Sequence, residues 1–385
     1  MLSDYGRRYR TELLESVIPF WMKHSLDREF GGYHSCLDRE GAVYDPRKYV
    51  WMLGREAWMM SRLYNEVEKR VEWLDAAGLG IEFIRKNVFD EQGRCYFSVS
   101  RDGAPAGFQR KPYAAVFVML ALLEYAKATG RAEYLDEAQS LFWRIDDWIR
   151  DPRLLGRGAT ETSALADVMV QASMATELHA VSDDPRYAEM IQGCVDRAFR
   201  HLDAGTNVFV ENVRFDGASI REYPEGRFCS PGHVIEVCWF LLHIFEKFPD
   251  AARQAQVLTV MESALELGWD REFGGIEYFV DIEGKPAMQL EARMKLWWVH
   301  TEAIYGLVLA ATLTKDSRWL KWLQKVDSYT FKTFADPQYG EWFGYCDRQG
   351  NVSNQLKGGA YKGCFHVPRA LLFSAQRIEA SSAAL

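Results

Sequence analysis

The chain has 385 residues, 48% hydrophobic and 26% charged, a globular balance long enough to bury a large core without disulfide or metal staples. A net charge of −8 lacks the basic footprint that a polyanionic nucleic acid requires, and no apolar run approaches the length of a bilayer span. The seven cysteines are scattered and never form a CxxC pair. The first twenty residues carry Arg7, Arg8 and Arg10 but no apolar stretch or small-residue cleavage site, so a reduced, cytoplasmic protein is expected.

A polar turn followed by a short aromatic hairpin recurs along the chain. It first reads Asp27-Arg28-Glu29-Phe30-Gly31-Gly32-Tyr33 and closes at Gly41. It returns at Asp90-Glu91-Gln92-Gly93, closing at Gly103, and more weakly at Asn207-Val208-Phe209-Val210-Glu211-Asn212, closing at Gly217. Two later copies, Asp270-Arg271-Glu272-Phe273-Gly274-Gly275 and Asp336-Pro337-Gln338-Tyr339-Gly340-Glu341-Trp342, close at Gly284 and Gly350. The closing glycines are 62, 114, 67 and 66 residues apart. The wide gap is two steps of 57, with its midpoint near Asp151-Pro152-Arg153-Leu154-Leu155-Gly156, where a loop replaces the hairpin.

Apolar segments of helical period lie between the turns. In residues 116–128, Phe117, Leu120, Ala121 and Glu124 follow i, i+3, i+4, i+7, and residues 234–248 and 303–313 are similarly rich in aliphatic side chains. Six two-helix units predict an all-α fold, an (α/α)6 toroid with short β-hairpins in the loops at one end. No Gly/Ser/Pro-rich linker divides the chain, so residues 1–385 are read as a single domain. An open solenoid is the alternative, and the count of six favours closure by analogy.

Candidate chemistry gathers at a few positions. Ser230 and Pro231 mark a helix start, placing His233 in its first turn with Glu236 at i+3 on the same face. The helix N-terminus disfavours an imidazolium, which predicts a neutral base. A metal ligand pair is a distant alternative, since no second copy exists. His366 stands just ahead of Pro368, at the start of the final helix. His300 and Glu302 share helix faces with Trp297 and Trp298, as in a carbohydrate-lined wall or a buried tryptophan pair. Arg55 shares a face with Trp51 and Trp58 and must have a partner, either a substrate oxyanion or Glu236 or Glu302. His24, His34, His179 and His201 read as exposed, and His243 as a core histidine. With 13 Trp, 18 Tyr and 22 Phe the chain could stack sugars or build a bulky core. GxGxxG, P-loop, GxSxG and HExxH motifs are absent. Two bases, an arginine and two carboxylates suit proton abstraction α to a sugar carbonyl.

At these residues the chain resembles the N-acylglucosamine 2-epimerases, from about Trp21 to Arg369. The resemblance is carried by Lys48-Tyr49-Val50-Trp51 with Gly54-Arg55, Pro231-Gly232-His233, Lys295-Leu296-Trp297-Trp298, Tyr339-Gly340-Glu341-Trp342-Phe343-Gly344-Tyr345 and Lys362-Gly363-Cys364-Phe365-His366-Val367-Pro368-Arg369. It implies an (α/α)6 barrel, usually homodimeric, that interconverts N-acetyl-D-glucosamine and N-acetyl-D-mannosamine through an enediolate. By motif, His233 and His366 exchange the C2 proton, Arg55 sits near C1 and C2, and Glu236 follows the first histidine. Tyr113, Trp298, Glu302, His300 and Trp51 are the expected substrate contacts.

The resemblance implies no metal and no cofactor for the chemistry, with ATP as an unconsumed activator in some members; Gly156-Arg157-Gly158 is the candidate nucleotide loop. Cellobiose 2-epimerases and mannose isomerases differ in carrying a histidine on the helix that here reads Asp167-Val168-Met169-Val170-Gln171, and a glutamine where this chain has His300. Both differences favour an N-acetylated sugar. The alternatives are an enzyme of unsubstituted mannose or glucose, an inverting glycoside hydrolase using Glu236 and Glu302, and a non-catalytic binding protein.

Overall fold

The computed structural model describes residues 2–158 and 160–383. The chain opens with a rod in three contiguous pieces, α1 (Leu2–Glu12), a π turn (Leu13–Val17) and α2 (Ile18–His24). Pro19 lacks the N–H that would continue the α ladder, and the wider turn absorbs that loss. There follow α3 (Val50–Glu66), α4 (Val71–Asn87), α5 (Tyr113–Thr129), α6 (Ala132–Arg150), α7 (Leu165–His179) and α8 (Pro185–Arg200). A single turn, α9 (Pro224–Arg227), precedes α10 (Pro231–Lys247), α11 (Ala251–Gly268), α12 (Trp297–Thr314), α13 (Ser317–Phe334) and α14 (His366–Ala383).

These helices form two concentric rings. The inner ring is α3, α5, α7, α10, α12 and α14, each packed on the next. It closes between α14 and α3, where Trp58 meets Phe365 and Phe373 with ring centroids 5.2 and 6.2 Å apart. Outside it, α4, α6, α8, α11 and α13 each cover the inner helix that precedes them, and α1 covers α14. The fold is a closed (α/α)6 barrel, not an open solenoid.

Sequence explains which helix goes where. Every residue of α12 from Trp297 to Ala311 is buried, as an apolar helix enclosed on all sides requires. By contrast α13 buries Trp319, Leu323, Val326, Asp327, Thr330 and Phe334, one stripe at three- and four-residue spacing. Among the described residues no helix is long and apolar enough to cross a membrane.

The loops entering the inner helices carry the hairpins, all at one end. Short strands immediately before an inner helix pair with the hairpin of the next unit: residues 48–49 with 98–99, 228–229 with 280–281, and 295–296 with 345–346. All five closing glycines have positive φ, from +73° to +101°, which a side chain would strain. Residues 152–155 form a 3-10 turn in place of the missing hairpin.

Three of the turns are locked by one arrangement of buried charge. Asp27 meets Lys48 of its own unit at 2.9 Å and Arg101 of the next at 2.9 Å. Asp270 likewise meets Lys295 at 3.2 Å and Arg348 at 2.8 Å. Asp336 meets Lys357 at 3.1 Å and Arg39 at 2.8 Å, and Arg39 belongs to the first unit, so this cluster ties the end of the chain to its beginning. Burial raises the Asp336 pKa, but hydrogen bonds from Arg39 and Lys357 prevail and bring it down to about 2.

A carboxylate depressed in the folded state contributes stability that is complete above its unfolded pKa, about 3.9, and is lost as pH falls toward the folded value. Asp336→Asn leaves Lys357 buried beside a neutral amide and should cost roughly 3–5 kcal/mol at pH 7 in urea melts. It should also flatten the loss of wild-type stability between about pH 4 and pH 2. A denaturation midpoint equal to wild type would show that the cluster does not hold the ring.

Candidate active site

The N-termini of the six inner helices converge at the hairpin end of the barrel. His366 is the first residue of α14, His233 lies in the first turn of α10, Trp298 in that of α12, and Tyr113 opens α5. Trp298 stands between the two histidines, its ring 5.1 Å from that of His233 and 5.8 Å from that of His366. A Cβ on Gly232 would lie only 2.8 Å from the Trp298 ring, so glycine is needed there for α10 and α12 to meet this closely.

Beneath His366 lies a compact network. Its Nδ1 is 2.7 Å from Glu302 Oε1, and the other oxygen, Oε2, accepts from Trp239 Nε1 at 3.0 Å. Arg369 Nη2 donates to Glu302 Oε1 at 2.7 Å and to Glu236 Oε1 at 2.6 Å. His233 has a separate partner: Nδ1 lies 3.0 Å from Glu211 Oε1, on the hairpin before α10. A carboxylate only accepts, so each Nδ1 carries a hydrogen and each Nε2 is left free for chemistry.

The two environments drive the histidines apart. Burial favours neutral His233, but the Glu211 charge and hydrogen bond, aided by Glu236 and Glu302, outweigh it and raise the pKa. At His366 burial acts together with the cations Arg55 and Arg369, and the pKa falls well below the ordinary value. The site thus pairs an imidazole shifted toward its protonated form with one shifted toward its neutral form, a difference suited to acid–base chemistry.

Arg55 is held among aromatic rings. Its guanidinium packs 4.1 Å from the Phe117 ring centroid, 4.9 Å from Trp51 and 5.0 Å from Phe365, and its Nε is buried without a hydrogen-bond partner. No carboxylate is within ion-pair distance of it among the described residues, while burial and the nearby Arg369 charge lower its pKa. A guanidinium near His366 with no carboxylate partner among the described residues is suited to a developing oxyanion.

Glu236, Glu302 and His366 have ligand atoms within 4.8 Å of one another, close enough to hold a metal. The Arg369 guanidinium bridges both carboxylates, so a resident cation already satisfies them. The same closeness argues against an inverting hydrolase, which separates its carboxyl groups by about 6.5–9.5 Å.

Residues 31–370 match the family model of N-acylglucosamine 2-epimerase. The chain belongs to that family. It is 40% identical to the N-acylglucosamine 2-epimerase of Mus musculus, over 97% of this chain and 92% of that one. Against the Homo sapiens N-acylglucosamine 2-epimerase it is 38% identical, over 93% and 86%. The solved cellobiose 2-epimerase of Bacillus thermoamylovorans B4167 shares the fold with a TM-score of 0.84 at 23% identity, covering 97% of this chain and 99% of that one.

Within this family framework several expected roles change. His300 is fully buried and faces α13: Nδ1 bonds the Leu296 carbonyl at 2.7 Å, Nε2 accepts the Ile276 N–H at 2.9 Å, and the ring stacks on Tyr329. Burial pushes its pKa to about 3. It is a structural histidine, and the inference from His300 to an N-acetylated substrate falls with its placement. Gln171 also turns outward, to Asp146 and Arg197. Glu302 positions His366 and Arg369, and Glu236 pairs with Arg369, leaving His233 to Glu211. The expectation of a neutral base rested on a downward push at the helix terminus, whereas Glu211 moves the His233 pKa upward against its burial. His201 is fully buried, bonded to the Val210 carbonyl, whereas His243 is half-buried beside Tyr305.

Tyr113 donates to Asp167 at 2.9 Å, and the Trp51 N–H to the Ala360 carbonyl at 2.6 Å, so both aromatic rings are held at the mouth. Glu211 and Arg369 carry weight that the sequence did not assign them. Arg369 is three residues after His366, one helical turn on, and could have been found by that spacing; Glu211 lies 22 residues from its partner on a different element.

Two variants test this geometry. Glu211→Gln should move the His233 titration downward, followed by its Cε1–H signal in NMR; an unmoved titration would dissolve the pair. His300→Phe should lower stability by about 1–3 kcal/mol through the two broken hydrogen bonds, with kcat/KM of the folded protein unchanged. A selective rise in KM would return His300 to the sugar site.

Proposed function

We propose that this protein interconverts N-acetyl-D-glucosamine and N-acetyl-D-mannosamine by removing and returning the proton at C2 of the open-chain sugar. The observation that carries this reading is the pair of histidines flanking Trp298, held by different carboxylates and biased toward opposite protonation states. Neutral His366 takes the C2 proton, the electron pair moves into the C1–C2 bond, and charge develops on the carbonyl oxygen. Arg55 meets that oxyanion. Protonated His233 then returns a proton to the opposite face of C2, which inverts the centre. Trp298 and Trp51 offer apolar faces to the sugar, and Tyr113 borders it.

The choice of an N-acetylated substrate rests on relatedness: 38–40% identity to N-acylglucosamine 2-epimerases against 22–26% to cellobiose 2-epimerases. Glucose and mannose are the second reading, served by the same histidines. The reaction as written uses no metal or cofactor. ATP is proposed as an unconsumed activator near Gly156-Arg157-Gly158. The Gly156 and Arg157 N–H groups there already bond the Arg153 and Pro152 carbonyls, so Arg110 and Arg157 side chains would have to meet the phosphates. A cytoplasmic homodimer is the assembly and location that fit the family resemblance.

Incubation with N-acetylmannosamine in D2O, with and without ATP, tests the reading by NMR. N-acetylglucosamine carrying deuterium at C2 is expected, and the paired tubes report on activation. His366→Asn and His233→Asn should each lower kcat by roughly 10²–10⁴-fold. No exchange in either tube, with turnover of mannose or glucose instead, would replace the N-acetylated substrate by the unsubstituted one.

A further inference from the structure

The floor of the active site is the roof of a second cavity. Arg369, which holds Glu236 and Glu302 from below, lies with its guanidinium 5.1 Å from the Trp239 ring centroid and 4.5 Å from that of Phe365. On the far side of this layer a cavity of about 420 Å³ opens at the C-terminal end of the inner ring. It lies within the size range of small-molecule sites. It widens into an outer bowl of about 430 Å³ that shares Arg62, Glu66, Thr176, Glu177 and Lys247 with it. None of His233, His366, Arg55 or Trp298 lines it.

Its walls combine aromatic faces with hydrogen-bonding groups of both kinds. Trp58, Trp239, Phe240, Tyr305 and Phe373 supply the faces. Glu66 and Glu177 accept, Arg62 donates, and Ser173, Thr176 and Gln376 can do either. The Nε of Arg62 is buried without a partner.

The charges argue for an uncharged occupant. Arg62 is already matched by Glu124 at 3.0 Å and Glu66 at 2.8 Å, Arg377 by Glu246 at 2.8 Å, and Arg369 by Glu236 and Glu302, while Lys247 on the same wall lies near enough to Glu177 to lower the pKa of that carboxyl. A bound cation would compete for the aromatic faces with Arg62, which sits 5.6 Å from both Trp58 and Phe373. An anion would meet the carbonyl ends of the inner helices. What remains is a ring with an apolar C–H face and a belt of hydroxyls.

We propose that this C-terminal mouth is a second binding site, for a small neutral saccharide, and that its occupancy reaches the catalytic histidine through Arg369. A ring stacked on Trp239 presses on the residue whose indole N–H holds Glu302 and on whose face Arg369 rests. The effect on turnover rests on the epimerase reading above; the binding itself does not.

The methyl β-glycoside of N-acetylglucosamine is a suitable probe, because its locked ring cannot open and cannot turn over. Ser173→Trp, on the cavity wall in α7, fills the space without touching the catalytic set, and Gln376→Trp at the rim serves if that variant does not fold. In wild type, saturating glycoside should change kcat for N-acetylmannosamine by roughly fivefold, at the low end of common coupling between sites. The filled variant should lose that change while keeping any competitive rise in KM from the active site. Equilibrium dialysis of labelled glycoside should retain one equivalent more on wild type than on the variant, whether or not the protein epimerises anything. Equal retention on both, an effect on KM alone, or a kcat change that survives the filling substitution would each overturn the proposal.

Discussion

A buried aspartate held between a lysine of its own unit and an arginine of the next is the contact on which the architecture turns. Lys48 and Lys295 are the residues at which the short strands lead into α3 and α12, so the ion clusters fix where inner helices begin. A helix started at the wrong height would misplace a mouth residue, because the side chains of the candidate site sit in the first two turns of those helices. The lysines are fully buried, and such charges are tolerated only when paired and hydrogen-bonded. In the last unit the turn departs from glycine. Glu341 occupies the position of Gly32 and Gly275 at φ +50°, and its buried carboxylate bonds Lys362 and the Trp21 indole. The strain of that backbone is offset by a link between the last hairpin and the first helical rod.

The same economy of charge governs the chemistry. Arg369 neutralises two carboxylates that would otherwise repel each other, and in doing so it deprives His366 of much of the negative field that Glu302 supplies. His233 has Glu211 to itself. Two chemically identical side chains therefore acquire opposite tendencies from unequal competition for carboxylates. Arg55, with no such partner among the described residues, has charge to offer a substrate.

Much of the frame was legible in the sequence because it is local and periodic. The spacing of the turn glycines counted the units, and the loss of the hairpin near Asp151 was visible as a missing copy. The helix starts at Ser230 and Pro368 placed His233 and His366 at a mouth. What depends on contacts across the ring was not legible. His300 shares a face with Trp297 on any helical wheel, yet only tertiary packing decides whether that face looks inward or toward α13. Glu211 and His233 are joined by a hairpin that returns across the mouth, and no period connects them. The pairing of Glu236 with Arg369, 133 residues away, is equally invisible before the ring is closed.

The bond between Arg39 and Asp336 also joins two units that are far apart in sequence. The first and last units meet through the same aspartate, lysine and arginine as neighbours within the sequence, and α1 lies along α14. The junction of the first and last units is thus chemically equivalent to two other junctions of the ring. The ring therefore has no first unit as far as these ion clusters are concerned: the junction between units distant in sequence is built from the same three residue types as the junctions between sequence neighbours.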